Sequence, residues 1–194
     1  MSDIAICIMD MQEGYLSDPA RKRDRDEMAA QVRNINLVLN MAAGNFPIIV
    51  VESIGWEPTI DGFDLDENRQ WRPVKVNVPK GANVPNGLNS PENRFGNRAA
   101  IVYKGWNDAF TSTGIEEYLQ KFGVGKLAIM GINASFCVKR TTELALERGY
   151  EVVTSLDLLT DDLCCRGRNK SEEFYRCETT LLPSTGALIR YLQP

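Results

Sequence analysis

Three ionisable residues of this chain follow predicted buried strands, and their types suit nucleophilic chemistry. Asp10 ends the first apolar run, Lys104 ends the third, and Cys137 follows the fourth. The chain contains no histidine, so any base for the thiol must be a carboxylate or a lysine. A carboxylate can take the proton of a thiol, and a lysine can keep that carboxylate ionised while it favours the thiolate.

The segment around Cys137 predicts a strand that turns directly into a helix. Residues 126–132 form an apolar run of strand length, and from Cys137 to Leu144 apolar residues recur at helical spacing before Gly149. A thiol in the first helical turn lies at the positive end of the helix dipole, which predicts a lowered pKa and a reactive thiolate. The same position also suits a small buried hydrophobic residue without chemistry.

Apolar runs alternate with amphipathic segments along the chain, and this alternation predicts an α/β fold with a parallel sheet covered on both faces. In such sheets ligands bind beyond the carboxyl ends of the strands, where the three ionisable residues converge. Asp157 follows the fifth strand, and we interpret it as a loop cap. The predicted strands are 4–9, 46–51, 99–103, 126–132 and 150–154, with a short edge strand at 181–185. The predicted helices are 21–43, 113–122 (opened by a capping box at 113–116), 137–148 and 187–192, and residues 169–172 could cap a further helix.

Length and composition limit the protein's class. The 194 residues suit one domain, residues 1–194, and the 43% hydrophobic and 25% charged content is typical of a globular protein. The net charge of −4 argues against a nucleic-acid or anionic-membrane partner. Five cysteines without zinc-type spacing favour a reducing compartment. We find no signal-peptide or membrane-span pattern, and we therefore expect a cytoplasmic protein.

Residues 53–98 interrupt the alternation with a long stretch that is rich in Pro, Gly, Asn and Trp. A connection of this length within one domain is usually functional or disordered. It could form a lid lined by its aromatic residues, or a contact between subunits, and the sequence leaves both interpretations open.

Three sequence blocks together resemble a known family. DMQEGY at 10–15, VYKGWNDAF at 102–110, and GINASFCV at 131–138 followed by ALERGY at 145–150 are similar to the sequence blocks of the isochorismatase-like cysteine hydrolases. This family includes nicotinamidases, ureidoacrylate hydrolases and carbamoylsarcosine amidohydrolases. The blocks occur in the family's order and spacing, and the resemblance covers most of the chain.

The resemblance implies a role for each site residue. Asp10 would be the base, Lys104 its partner and Cys137 the nucleophile. It also implies a cis peptide bond between Ile132 and Asn133, with the N–H groups of Asn133 and Cys137 forming an oxyanion hole. The implied fold is a three-layer α/β/α Rossmann-like domain with a mostly parallel six-stranded sheet in the order 3-2-1-4-5-6. The implied assembly is a homo-oligomer, either a dimer or a tetramer.

The chain departs from the family in two ways that bear on chemistry. Nicotinamidases bind a metal through histidines and an aspartate after the second strand, where this chain has Glu52-Ser-Ile-Gly-Trp56 and no histidine. We therefore expect no metal and no cofactor. True isochorismatases need no nucleophilic cysteine, so Cys137 disfavours that chemistry.

These observations predict a hydrolase that cleaves a C–N bond of a small amide, ureide or carbamoyl compound through a thioester. Tyr15, Trp106 and Phe136 are the predicted residues of the substrate pocket. Two alternatives remain: a non-enzymatic interaction or redox-sensing protein on the same fold, and a vinyl ether hydrolase of the isochorismatase type. An intact Asp10 and Lys104 favour the enzyme, because a redox sensor needs neither.

Overall fold

A computed structural model describes residues 3–11, 25–42, 45–53, 99–111, 113–161 and 168–193. Two predictions lie outside these residues: the pocket role of Tyr15, and the lid or subunit contact assigned to residues 53–98, of which only Ser53 is described.

The described strands form one parallel sheet with the predicted order. The path is β3-β2-β1-β4-β5-β7, and β6 pairs with β4 beside this path. The sixth place belongs to β7 because the two-residue β6, which the sequence did not predict, precedes it in the chain. The strands are β1 (Ile4–Met9), β2 (Ile48–Ser53), β3 (Ala99–Lys104), β4 (Lys126–Ile132), β5 (Glu151–Ser155), β6 (Leu159–Thr160) and β7 (Thr180–Leu182).

The described helices connect these strands. They are α1 (Arg25–Ala42), α2 (Ile115–Lys121), α3 (Lys139–Glu147), α4 (Arg168–Glu178) and α5 (Thr185–Leu192). A turn of π-helix (Ala134–Val138) precedes α3, and a 3₁₀ turn (Leu156–Leu158) follows β5. None of the described helices is both long and apolar enough to cross a lipid bilayer.

The predicted capping box at 113–116 is wrong. The N-cap of α2 is Gly114, which has a left-handed backbone with φ of 73°. Thr113 lies before the cap, and its hydroxyl donates to the carbonyl of Ala109 at 2.5 Å. By contrast, Asp157 is the cap that the sequence predicted: its carboxylate accepts the hydroxyl of Ser155 at 2.5 Å and the N–H of Thr185 at 2.8 Å.

The core lies on both faces of the sheet, which makes the fold three-layered. Alternate residues of a strand point to opposite faces, and β1 divides accordingly. Its residues Ala5, Cys7 and Met9 pack with residues of α2, α3 and α4. Its residues Ile4, Ile6 and Ile8 pack with residues of α1 and α5.

Gly131 brings the ends of β1 and β4 close together. Its φ is 126°, and a Cβ at this position would overlap the carbonyl oxygen of Met9. Only glycine adopts this backbone easily and leaves room for the neighbouring chain. The residues that directly follow the two strands, Asp10 and the turn after Ile132, therefore lie side by side.

Candidate active site

Asp10 lies at the end of β1 and is completely buried. Its φ is 52°, a left-handed conformation that Asp tolerates better than most residues. Its N–H donates to the carbonyl of Val51 at 2.9 Å. The Ser53 hydroxyl donates to its Oδ1 at 2.9 Å, so one oxygen of the carboxylate is held by the end of β2.

Lys104 reaches Asp10 across the intervening strand. Its strand, β3, is separated from β1 by β2, yet the Lys104 Nζ lies 3.0 Å from Asp10 Oδ2. The same nitrogen donates to the carbonyl of Trp106 at 3.2 Å and lies 3.3 Å from the Sγ of Cys137. Lys104 is only 2% exposed, so this ammonium group lies between the carboxylate and the thiol and away from water.

Cys137 belongs to the π-helical turn and is 5% exposed. The helical segment begins three residues earlier than the sequence predicted, at Ala134. The peptide bond between Ile132 and Asn133 is cis. The Asn133 carbonyl accepts the N–H groups of Phe136 and Val138, each at 3.1 Å, so this turn is folded tightly around the residues on either side of Cys137.

The environment of Cys137 favours the thiol, not the thiolate. Burial is the largest effect, and together with the negative charge of Asp10 it raises the pKa of Cys137 to about 11; the charge and hydrogen bond of Lys104 act in the opposite direction. The predicted lowering of this pKa by a helix dipole is therefore wrong. Burial removes the thiol from water and disfavours its charged form, and Cys137 is the fourth residue of a turn that begins at Ala134.

The arrangement can move a proton between the thiol and the carboxylate. Asp10 lies within hydrogen-bonding reach of Cys137, and this contact helps to raise the pKa of the thiol. The Lys104 ammonium lies 3.0 Å from Oδ2 of the same carboxylate. The neighbouring ammonium would stabilise the thiolate that forms when Cys137 gives its proton up.

The predicted pocket residues Trp106 and Phe136 lie beside Lys104 and Cys137 in the sequence and are 48% and 50% exposed. The backbone carbonyl of Trp106 contacts Lys104, as described above. Phe136 lines an open cavity of about 240 Å³ together with Asn107, Ser135, Lys139, Arg140 and Glu143. Both aromatic side chains thus have surface that a ligand could cover.

Sequence reasoning missed Ser53. It is the last residue of β2, and the only signal for it is its polar side chain at the end of a strand whose first four residues are apolar. Its importance depends on the sheet order, since β2 lies between β1 and β3 and its end is therefore adjacent to both Asp10 and Lys104.

The residues present do not fit the metal site of nicotinamidases. Glu52 is buried at the end of β2, but the chain offers no histidine to join it. In the described ranges, no group of three or more His, Cys, Asp or Glu residues is arranged to hold a metal ion. No step proposed below uses a metal.

The fold of this chain is similar to those of solved structures. An isochorismatase-like hydrolase from Alkaliphilus metalliredigens superimposes with a TM-score of 0.75 at 17% identity, over 99% of this chain and 100% of that one. The N-carbamoylsarcosine amidase of Thermoplasma acidophilum gives a TM-score of 0.65 at 19% identity, over 93% of this chain and 95% of that one. At these identities the similarity shows the fold alone.

The chain is also similar in sequence to part of a hydrolase and to a family model. The streptothricin hydrolase of Streptomyces noursei is 39% identical over 62 residues, which are 32% of this chain and only 22% of that protein. The family model described as the isochorismatase domain matches residues 4–175. Because this match spans most of the chain, the chain belongs to the isochorismatase family.

Proposed function

We propose that this protein is a cysteine hydrolase that cleaves a C–N bond of a small amide, ureide or carbamoyl compound through a thioester intermediate. The observation that supports it most is the position of the Lys104 ammonium, 3.0 Å from the Asp10 carboxylate and 3.3 Å from the Cys137 thiol. A nucleophile, a base and a cation that stabilises both their anions are what this chemistry needs.

The first half of the reaction forms the thioester. Asp10 takes the proton of the Cys137 thiol as Sγ attacks the substrate carbonyl carbon. The tetrahedral oxyanion is bound by the N–H groups of Asn133 and Cys137. Asp10 then gives the proton to the leaving nitrogen, the C–N bond breaks, and the amine departs. Because the raised pKa of Cys137 favours the thiol, the attack needs Asp10 to take this proton.

The second half releases the acid. Asp10, again ionised, takes a proton from water, and the resulting hydroxide attacks the thioester carbonyl in the same oxyanion site. The C–S bond breaks and the Cys137 sulfur recovers its proton from Asp10. Lys104 stays charged in both halves of the reaction. Whichever of the Asp10 carboxylate and the Cys137 sulfur is anionic therefore has a cation beside it in the buried site.

Further features support this proposal over its alternatives. Hydrolases and an amidase are among the proteins similar to this chain. A vinyl ether hydrolase of the isochorismatase type would leave Cys137 without a task, and a redox sensor would leave the Asp10–Lys104 pair without one. We also propose that Trp106, Phe136 and Tyr15 bind the organic part of the substrate, and that the protein acts as a cytoplasmic homo-oligomer.

A substrate screen tests the proposal. Small amides, ureides, carbamoyl compounds and vinyl ethers would be incubated with the protein and with Cys137→Ser, and products would be identified by mass. We expect an acid and a free amine or ammonia from at least one C–N substrate, and none from the variant. Turnover of vinyl ethers alone, or equal turnover by Cys137→Ser, would contradict the proposal.

A further inference from the structure

We propose that Asp161 is a positioning residue, which holds the turn carrying Cys137 against the Asp10–Lys104 pair. The inference rests on the proposed function for its catalytic readout, but its geometric part does not. Cys137 lies in the turn Ala134–Val138, and side chains from outside this turn bind it.

Asp161 binds the turn through both of its carboxylate oxygens. Oδ1 accepts the N–H of Ser135 at 2.8 Å, and Oδ2 accepts the Ser135 hydroxyl. Hydrogen bonds to an ionised carboxylate are stronger than neutral ones. Ser135 lies two residues before the nucleophile, so this contact restrains the backbone where Cys137 needs a fixed position.

A second contact restrains the same turn from α4. The hydroxyl of Tyr175 donates to the carbonyl of Ala134 at 2.7 Å, and Tyr175 is only 1% exposed. Asp161 thus holds an N–H of the turn while Tyr175 holds the preceding carbonyl. Both residues line a cavity of about 220 Å³ together with Ala134 and residues of α4 and β6. Because this side of the turn faces a cavity, the two hydrogen bonds restrain the turn where it has space to move.

The otherwise unexplained strand β6 places Asp161. Leu159 and Thr160 pair with Gly131 and Ile132, the last residues of β4 before the cis peptide. Gln31 of α1 reinforces this pairing: its Nε2 donates to the carbonyls of Gly131 and Leu158, each at 2.9 Å, and its Oε1 accepts the Thr160 hydroxyl at 2.8 Å. β6 therefore ends beside the turn, and the next residue is Asp161.

Asp161 acts through geometry and not through its charge on the thiol. The charges that shift the pKa of Cys137 are those of Asp10 and Lys104. Loss of the Asp161 contact should therefore free the turn without changing the charges that lie beside the thiol. A freed turn exposes Cys137 more often, while the sulfur spends less time at the distance from the carboxylate that the attack requires.

The test measures turnover and thiol access together. In Asp161→Ala we expect kcat to fall about tenfold or more at nearly constant KM. We expect iodoacetamide to label Cys137 about threefold faster than in the wild type, with the exposed Cys177 as the internal reference. Ser135→Ala, which keeps the N–H contact, and Tyr175→Phe should show smaller changes in the same directions.

Asp157→Ala is the matched control. Asp157 also accepts one serine hydroxyl and one backbone N–H, but it serves the start of α5. Slower turnover together with faster labelling of Cys137 in the Asp161 variant supports the inference if the control shows neither change. Wild-type turnover and labelling in the Asp161 and Ser135 variants, or equal changes in the control, would overturn it. If Asp161→Ala does not fold, the Ser135 and Tyr175 variants decide. If the wild type turns over no substrate, the proposed function fails, but the labelling still decides the inference.

Discussion

Lys104 and Asp10 form a buried ion pair across an intervening strand, with 3.0 Å between Nζ and Oδ2. The order of the strands in the sheet places β3 two positions from β1, and the length of the lysine side chain closes the gap. The pair is therefore specified by the sheet order and by a side chain long enough to span β2. Both the stability of the protein and its proposed chemistry depend on this pair, and mutations can separate the two effects.

Lys104→Met is expected to reduce both stability and activity. It leaves the Asp10 carboxylate buried without its cation, which costs about 3–5 kcal/mol in comparable pairs. Turnover should fall by about 100-fold or more, because the cation no longer stabilises the thiolate. Urea unfolding and turnover of the purified variant measure the two effects.

The double variant Asp10→Asn/Lys104→Met separates stability from chemistry. Removing both charges should recover most of the lost stability, since no unpaired ion remains, while turnover stays abolished. Lys126→Met is the control: Lys126 pairs with the exposed Glu151 at 2.8 Å, and an exposed pair contributes about 1 kcal/mol or less. A double variant less stable than Lys104→Met would contradict the account of the buried pair.

Asp10 and Cys137 are expected to act in one step. Asp10→Asn and Cys137→Ala should each abolish most turnover, and the double variant should be little worse than Cys137→Ala alone, because residues that act as a unit are non-additive. Steady-state turnover of the three proteins, with circular dichroism to show that each is folded, makes the comparison. If the fold-loss of turnover in the double variant equals the product of the fold-losses in the two single variants, Asp10 and Cys137 act independently.

Ser53→Ala is expected to lower turnover by about tenfold at constant KM, because the Asp10 carboxylate loses the hydrogen bond that orients it. Ser184→Ala is the control, since Ser184 also uses its side chain in one hydrogen bond, as the N-cap of α5. That variant should lose about 1 kcal/mol of stability and keep full turnover. Equal kinetics for the two variants would show that Ser53 does not orient the base.

The pKa of Cys137 predicts a specific dependence of stability on pH. The pKa is raised from 9.0 to about 11, so between these values the folded state binds a proton that the unfolded state has lost. The resulting stability, about 3 kcal/mol at 1.36 kcal/mol for each pKa unit, is complete below pH 9 and disappears as the pH rises towards 11. Cys137→Ser should therefore lose less stability than the wild type between pH 9 and 11 in urea unfolding. Parallel curves would contradict the raised pKa.

The sequence predicted the sheet well because its strands are apolar runs of strand length, such as Ile4–Met9. It could not predict β6, since two residues carry no periodicity and the pairing of Leu159 and Thr160 depends on Gln31, far away in the chain. Ser53 and Asp161 were missed for the same reason. Each becomes important only through a neighbour that the fold supplies.

The chemical state of Cys137 was harder to predict than its position. Spacing placed the thiol beside the carboxylate, but its pKa depends on how deeply the turn is buried and on the balance between Asp10 and Lys104. Likewise, Thr113 matched a capping pattern, yet the helix begins after Gly114. Local patterns indicate which residues can interact, and packing decides which interaction prevails.

The central claim is that Cys137 forms a thioester with the substrate. Mass spectrometry of acid-quenched protein during turnover of a C–N substrate tests it most directly. We predict a mass increase equal to the acyl group of the substrate, located on the peptide that contains Cys137, removed by hydroxylamine and absent in Cys137→Ser. Turnover without any adduct, at a rate that Cys137→Ser retains, would contradict the claim.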